Sequence, residues 1–154
     1  MAWFARLMYR ALVWKERQRA RRPARPAPKG RAKERPAHLI TGERGETLAY
    51  WYLRQAGYTM VARNRRARAG EVDLVGWDGP ILAFVEVKTR TSDAAGPPEA
   101  AVSRGQQKRI ARAAREHLRR LKRKPAGYRF DIVSVFWDEQ AGYQVRLIKD
   151  AFKG

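Results

Sequence analysis

The stretch GEVDLVGWDGPILAFVEVKTR, residues 70–90, decides the fold. Two apolar runs of strand character, 71–77 and 81–88, flank the Asp78-Gly79 dipeptide, a strong hairpin signal. Asp73, Glu86 and Lys88 stand inside those runs. A charge in a half-buried strand is costly unless something compensates it. Strand side chains alternate with period two, so Glu86 and Lys88 share a face with Phe84, and Asp73 shares one with Glu71 and Val75. A two-residue turn at Asp78-Gly79 pairs Trp77 with Pro80, Asp73 with Phe84 and Glu71 with Glu86. Asp73 and Glu86 then become same-face diagonal neighbours, roughly 7–8 Å apart at Cα. A slip of one residue would separate them.

Working outward, residues 42–57, GERGETLAYWYLRQAG, read as a helix with a glycine stop and an apolar face of Leu48, Ala49, Tyr52, Leu53 and Ala56. Glu46, three residues before Ala49 and seven before Leu53, falls on that inward face. Residues 58–64 read as a strand and 91–98 as a loop. From 103 to 123, Ile110, Ala113, Ala114, His117, Leu118 and Leu121 recur at helical spacing. Residues 128–137 and 143–149 are two further strands. A helix between the third and fourth strands implies a right-handed parallel crossover. The expected fold is α/β: a mixed sheet of about five strands flanked by helices, in the order α-β-β-β-α-β-β.

The 154-residue chain has no cysteine and two histidines, His38 and His117. Disulfides and thiolate metal centres are therefore excluded, two histidines disfavour a multi-histidine site, and any metal is expected to be held mainly by oxygen, which favours Mg²⁺ or Mn²⁺. The net charge of +19 implies a polyanionic partner. Residues 1–40 hold 12 Lys and Arg against two acidic residues. Their stretch 21–36, RRPARPAPKGRAKERP, has the composition of a disordered linker. Before it, Phe4, Leu7, Met8, Ala11 and Leu12 suit a short amphipathic helix, which one reading would dock on a membrane surface or partner. The favoured reading is a weakly structured basic tail, with the folded domain spanning 41–154. No apolar run is long enough to cross a membrane. The stretch 3–14, WFARLMYRALVW, is broken by arginines and has no small-residue cleavage site, so a cytoplasmic protein is expected.

Two carboxylates brought together raise one another's pKa, and a proton or a dication relieves the repulsion. Asp73 and Glu86, with a backbone carbonyl near Val87, make a donor set for Mg²⁺ that leaves water positions open. Such a cation activates water and stabilises charge on a phosphate. Lys88 stands beside it to orient the water or to stabilise the transition state. That division of labour suits phosphodiester hydrolysis.

At these residues the sequence resembles the D…(D/E)-x-K signature of PD-(D/E)XK nucleases, carried by Asp73 and Glu86-Val87-Lys88. More narrowly, residues 42–152 resemble the YraN family of uncharacterised bacterial proteins, near archaeal Holliday-junction resolvases in fold. GERGETLAYWYL, ARNRRARAGEVDLV, FVEVKTR, AAV…QQKRIARAA and RFDIVSV carry the likeness. It implies a restriction-endonuclease-like sheet, with Glu46, Asp73 and Glu86 as acidic ligands and Lys88 as the catalytic lysine. The proline usual before the first aspartate is replaced by Val72. A glutamine near the start of the second helix is implied to position phosphate or water; Gln106 and Gln107 both stand there, and Gln107 is the expected one. The resemblance also implies a homodimer, because the two strands of a junction need two active sites.

Blander readings compete at each point. Asp73, Glu86 and Lys88 would form a structural salt-bridge cluster, completed by Arg90 or Arg63. Glu46 would cap its helix, and Glu71 would be a rim charge. Asp131 is read as structural, bonded to Arg129 or to the sheet edge, and His117 as a satisfied core residue. Nine Lys and Arg on the second helix face only Glu116. Such uncompensated repulsion favours a phosphate-tracking surface over a merely solvated face. Arg63, Arg65, Arg66, Arg68, Arg90, Arg104, Lys108 and Arg112 are the expected nucleic-acid contacts. No base-reading pattern accompanies them, so recognition should follow DNA structure rather than sequence. The expected function is a metal-dependent endonuclease acting on structured or branched DNA. The alternatives are a catalytically silent nucleic-acid-binding protein on the same fold, and a basic protein held at a membrane by residues 1–20.

Overall fold

The computed structural model describes residues 2–20, 37–68, 70–90, 96–138 and 142–154. Helices α1 (Ala2–Ala20) and α2 (Ala37–Gln55) precede strands β1 (Thr59–Ala67), β2 (Gly70–Asp78) and β3 (Ile81–Arg90). A 3₁₀ turn (Pro98–Ala101), helix α3 (Arg104–Arg120) and strands β4 (Gly127–Asp138) and β5 (Gly142–Phe152) complete the chain. The five strands lie in sequence order, antiparallel except for the parallel β3–β4 pair across the α3 crossover. This is the expected mixed α/β sheet with flanking helices.

The two faces of the sheet bury separate cores. On one side Phe84, Phe130, Ile132, Val72 and Val75 pack against Ile110, Ala113 and Ala114 of α3. The small residues of that stripe let the helix sit close to the strands. On the other side Ala83, Val85, Val87, Val133 and Val135 meet Leu48, Ala49 and Leu53 of α2. Alternation along β3 and β4 sends successive residues to opposite cores, so both strands are buried on both sides.

Helix α2 begins five residues earlier than the sequence pattern suggests, at Ala37 instead of Gly42. It ends as expected: the Gly57 N–H donates to the Arg54 carbonyl at 3.3 Å and the Tyr58 N–H to the Leu53 carbonyl at 3.0 Å, the paired bonds of a Schellman stop. Helix α3 ends at Arg120, short of Arg123. Ser103 caps its other end, its hydroxyl accepting from the Gln106 N–H at 3.2 Å.

The hairpin register corrects the sequence reading. Asp78 pairs with Ile81 and Trp77 with Leu82, so the turn is Gly79-Pro80 and not Asp78-Gly79. Gly79 has φ of 58° at the first central position. Pro80 cannot follow it with a positive φ, which excludes a type I′ turn and leaves the type II′ geometry that twisted strands accept. The register moves by two residues, an even number, so within the paired stretch, Leu74 to Asp78 of β2, every side chain keeps its face.

Residues 2–20 are helical, where a weakly structured tail was the favoured reading. Ala5 of α1 is buried, Tyr9 meets the Tyr52 ring edge-on at 5.8 Å, and Leu12 and Val13 pack on the α2-side core. The linker reading of 21–36 lies outside the described residues.

Candidate functional site

Strands β2 and β3 part company in the middle of the sheet. Their pairing runs from Asp78–Ile81 to Leu74–Val85 and stops there. Beyond it β2 continues beside β1 alone and β3 beside β4 alone. Continued register would set Asp73 directly opposite Glu86. In its place the strands form a fork, and the Val87 N–H donates to Asp73 Oδ2 at 2.7 Å. Across from Asp73 the β1 ladder also lapses, and Asn64 there has φ of 48°. Val72 and Val75 consequently pack into the same core, out of simple alternation. Asp73 thus sits at a local twist of β2 and points its carboxylate at the backbone of β3.

Glu86 and Lys88 lie on the α3 face, where α3 completes a closed triangle. Lys88 Nζ donates to Glu86 Oε1 at 2.9 Å and to Gln106 Oε1 at 3.2 Å. Gln106 Nε2 donates to the same Glu86 oxygen at 2.5 Å. The Glu86 side chain is 8% exposed and Lys88 22%. From the other face α2 brings Glu46, whose charge is felt at Asp73. Burial pushes the Asp73 carboxyl up to about 7; the Glu86 charge raises it next, the Val87 N–H opposes, and Glu46 adds a smaller push upward. Lys88 is the weakest of these influences. The fork therefore sets two carboxyls beside one ammonium, and Asp73 needs a proton or a further cation to complete the balance.

Glu46 reaches the fork because α2 lies unusually close to β3. A Cβ on its neighbour Gly45 would come within 1.9 Å of Thr89 Oγ1 and 3.1 Å of Thr89 Cβ. Only glycine allows that approach. The sequence reading missed Gly45, although a glycine inside a helix beside an inward glutamate signals a packing reason. Glu46 does not complete an acidic cage: among the described residues no group of three or more His, Cys, Asp or Glu side chains is placed to share a metal ion. The oxygens that face the fork are the Asp73 and Glu86 carboxylates and the Val87 carbonyl, which shares a strand edge with the N–H that Asp73 accepts.

Of the two glutamines, the structure brings Gln106 to Glu86 and Lys88, and not the expected Gln107. Gln107 Nε2 donates to the Val102 carbonyl at 3.0 Å and borders a separate groove. Helical phase contains the signal: Gln106 precedes Ile110, Ala113 and His117 by four, seven and eleven residues, the sheet-facing stripe.

The expected basic contacts divide. Arg104, Lys108 and Arg112 are exposed and line a groove of about 500 Å³ with Arg115, Gln107 and Lys153. The other five do not share that surface. Arg63 donates to Thr47 Oγ1 at 3.1 Å and lies 5.1 Å over the Tyr50 ring, on the α2 side. Arg65 acts electrostatically on His117 of α3, and Arg66 stands 3.6 Å from Glu71, a rim pair as read. Arg68 is exposed at the turn. Arg90 donates to the carbonyls of Gly96 and Pro97, so it anchors the chain after β3 rather than presenting a free guanidinium. Burial, then Arg65, holds His117 below its usual pKa. Its half-buried ring meets Phe84 edge-on at 5.8 Å, and its nitrogens have no hydrogen-bond partner among the described residues.

Asp131 is structural, as read. It is fully buried and accepts from Arg129 Nε at 2.9 Å, the Tyr58 hydroxyl at 3.2 Å and the Asp150 N–H at 2.9 Å.

The chain is similar to curated relatives across most of the folded part. A UPF0102 protein of Koribacter versatilis is 45% identical over 121 residues, 77% of this chain and 83% of the relative. One from Geotalea uraniireducens is 40% identical over 123 residues, 80% and 97% of the two chains, and one from Solibacter usitatus is 50% identical over 113 residues, 72% and 84%. The model of the uncharacterised protein family UPF0102 matches residues 45–135, which include Gly45, Glu46 and every residue of the fork. The chain belongs to the UPF0102 family, the YraN-like group within the PD-(D/E)XK nuclease superfamily.

Proposed function

We propose that this protein is a metal-dependent endonuclease that hydrolyses phosphodiester bonds in structured or branched DNA. The observation that carries the reading is the uncompensated negative fork beside an ammonium group. Asp73 and Glu86 stand close enough to repel, and Lys88 is hydrogen-bonded in place next to them.

The donor set suits Mg²⁺ or Mn²⁺. Two carboxylates and the Val87 carbonyl are hard oxygen ligands, and a site with few protein ligands leaves room for water and a substrate phosphate. When bound, such a cation supplies a nucleophile at neutral pH and stabilises charge on the phosphate. The chain's own groups do the rest. Lys88 directs its ammonium at the edge of Glu86, where it stabilises negative charge that develops on phosphate oxygens. Gln106 holds Lys88 and Glu86 in fixed orientation through both ends of its amide. Glu46 adds charge from the opposite face and strengthens the fork's preference for a cation. Arg104, Lys108, Arg112 and Arg115 recur on one side of α3, the helix that supplies Gln106, and suit backbone phosphates rather than bases. Recognition by shape, a homodimer presenting two forks and a cytoplasmic setting fit this reading.

The test is cleavage of four-way junction, duplex and single-stranded DNA, and of RNA, with Mg²⁺, Mn²⁺ or chelator. Metal-dependent cutting of branched DNA that disappears in Asp73→Asn and Lys88→Ala, with binding retained, supports the proposal. Binding without cutting under either metal assigns the protein to the catalytically silent reading.

A further inference from the structure

Helix α1 is apolar on two opposite sides. Its inner side, Ala5, Tyr9, Leu12 and Val13, is covered by α2 and the core behind it. The opposite side carries Trp3, Leu7 and Trp14 at i, i+4 and i+11, a single stripe with Ala11 beside it. Trp3 is 76% exposed, Leu7 50% and Trp14 64%. A second apolar side on a helix normally marks a second surface of burial, and here that side has no cover among the described residues.

Charge identifies the cover. At 100° per residue, Arg6 and Arg10 run along one border of the stripe and Lys15 along the other. All three are exposed. Stretch 21–36, which follows α1, adds seven Lys and Arg against one acidic residue. A second copy docking through the same stripe would bring cationic borders together. An anionic lipid surface accepts both parts: indole and leucine side chains enter the headgroup boundary while the long cationic side chains reach the phosphates. Stable attachment takes two signals, and an apolar helix face next to a polybasic segment supplies both. No helix of the described residues is long and apolar enough to cross a membrane.

We infer that the outer face of α1 is an interfacial anchor that lays this protein on anionic lipid bilayers through Trp3, Leu7 and Trp14. The anchor lies on the α2 side of the sheet, opposite α3 and its basic groove. It is independent of the hydrolytic reading.

The experiment is co-sedimentation of the nucleic-acid-free full chain with phosphatidylcholine vesicles and with vesicles one-third phosphatidylglycerol. The wild type should sediment with the anionic vesicles only. Trp3→Ser/Trp14→Ser should weaken that binding on the order of ten-fold, with an unchanged melting temperature. Asp73→Asn should bind like the wild type. Lipids brominated in the acyl chain should quench wild-type tryptophan emission, and the double variant, which keeps Trp51, Trp77 and Trp137, gives the baseline. Arg6→Glu/Arg10→Glu keeps the stripe and should weaken binding to anionic vesicles several-fold, with about ten-fold for each charge removed near the surface as the upper bound. No binding to anionic vesicles, equal binding by the double serine variant, or no excess quenching overturns the inference. A dimer that the serine variant breaks, in protein that ignores vesicles, assigns the stripe to a second copy and also overturns it.

Discussion

Two clusters of buried and half-buried charge share strands β2–β4 and are solved in opposite ways. Toward the hairpin tip, Asp78 receives Lys149 Nζ at 2.7 Å and Arg129 at 2.6 Å. Arg129 also holds Asp131, and Tyr58 bonds to both. The hydrogen bonds from Lys149 and Arg129 keep the Asp78 carboxyl below its usual value. At the fork, burial and Glu86 drive the Asp73 carboxyl the other way, to about 7. The tip network is finished within the protein, whereas the fork has charge left over. Residue type does not distinguish the two, because both hold aspartates beside long cations. What distinguishes them is the number of donors that the fold delivers.

The largest contrast should come from deleting one partner in each cluster. Lys88→Ala should lower the cleavage rate by roughly 10²–10³, in single-turnover assays, with a smaller loss of stability than a deletion in the tip network, because Gln106 still donates to Glu86. Asp131→Ala should destabilise the chain by about 3–5 kcal/mol, because it removes the buried acceptor of Arg129 Nε, the Tyr58 hydroxyl and the Asp150 N–H. Urea unfolding measures it. Equal stability losses in the two variants would erase the distinction.

The pH response sharpens the comparison further. A folded-state pKa raised from 3.8 to about 7 means that the folded chain keeps the Asp73 proton longer than the unfolded chain. Stability from this group therefore falls as pH rises between those values and stays low above them. In metal-free buffer at pH 8, Asp73→Asn should be more stable than wild type by an amount on the order of a few kcal/mol, and the gap should close below about pH 4. Mg²⁺ should raise the melting temperature of the wild type and leave Asp73→Asn unmoved. Asp78 has the reverse sign: its stabilisation is present above its unfolded-state pKa and is lost as pH falls through the lowered folded value.

Smaller effects test how the fork is assembled. Gly45→Ala should cost about 1–3 kcal/mol, the usual penalty for overpacking, and should reduce cleavage by withdrawing Glu46. Gln106→Ala should lower the rate by roughly ten-fold through loosened Lys88 and Glu86, whereas Gln107→Ala should alter it little. A larger loss in Gln107→Ala would reverse the correction made from the hydrogen bonds.

Much of this was readable along the chain. Alternation in 70–90 put Glu86 and Lys88 on one face, and the stripe of 104–120 marked a basic amphipathic helix, but which face that helix covers was not legible. The even-numbered register error did no harm to faces in the paired stretch, since alternation is insensitive to a shift of two, but the break of alternation between Val72 and Val75 was not legible. The choice between Gln106 and Gln107 was obscured because both precede apolar residues at helical spacing. The folding of residues 2–20 was obscured because composition records their charge but not the aromatic face that α2 offers.

Local pattern by itself determined the α/β class, the strong positive charge and the identity of the acidic and basic residues at the centre of the sheet. Periodicity and composition depend on neighbours in sequence. Only the tertiary structure decided that β2 and β3 separate beyond Leu74 and Val85, that Gly45 lets a helix bring Glu46 close, and that one aspartate is neutralised while another is not. Those outcomes depend on distances between residues far apart in the chain, and the energy of a buried charge is set by those distances.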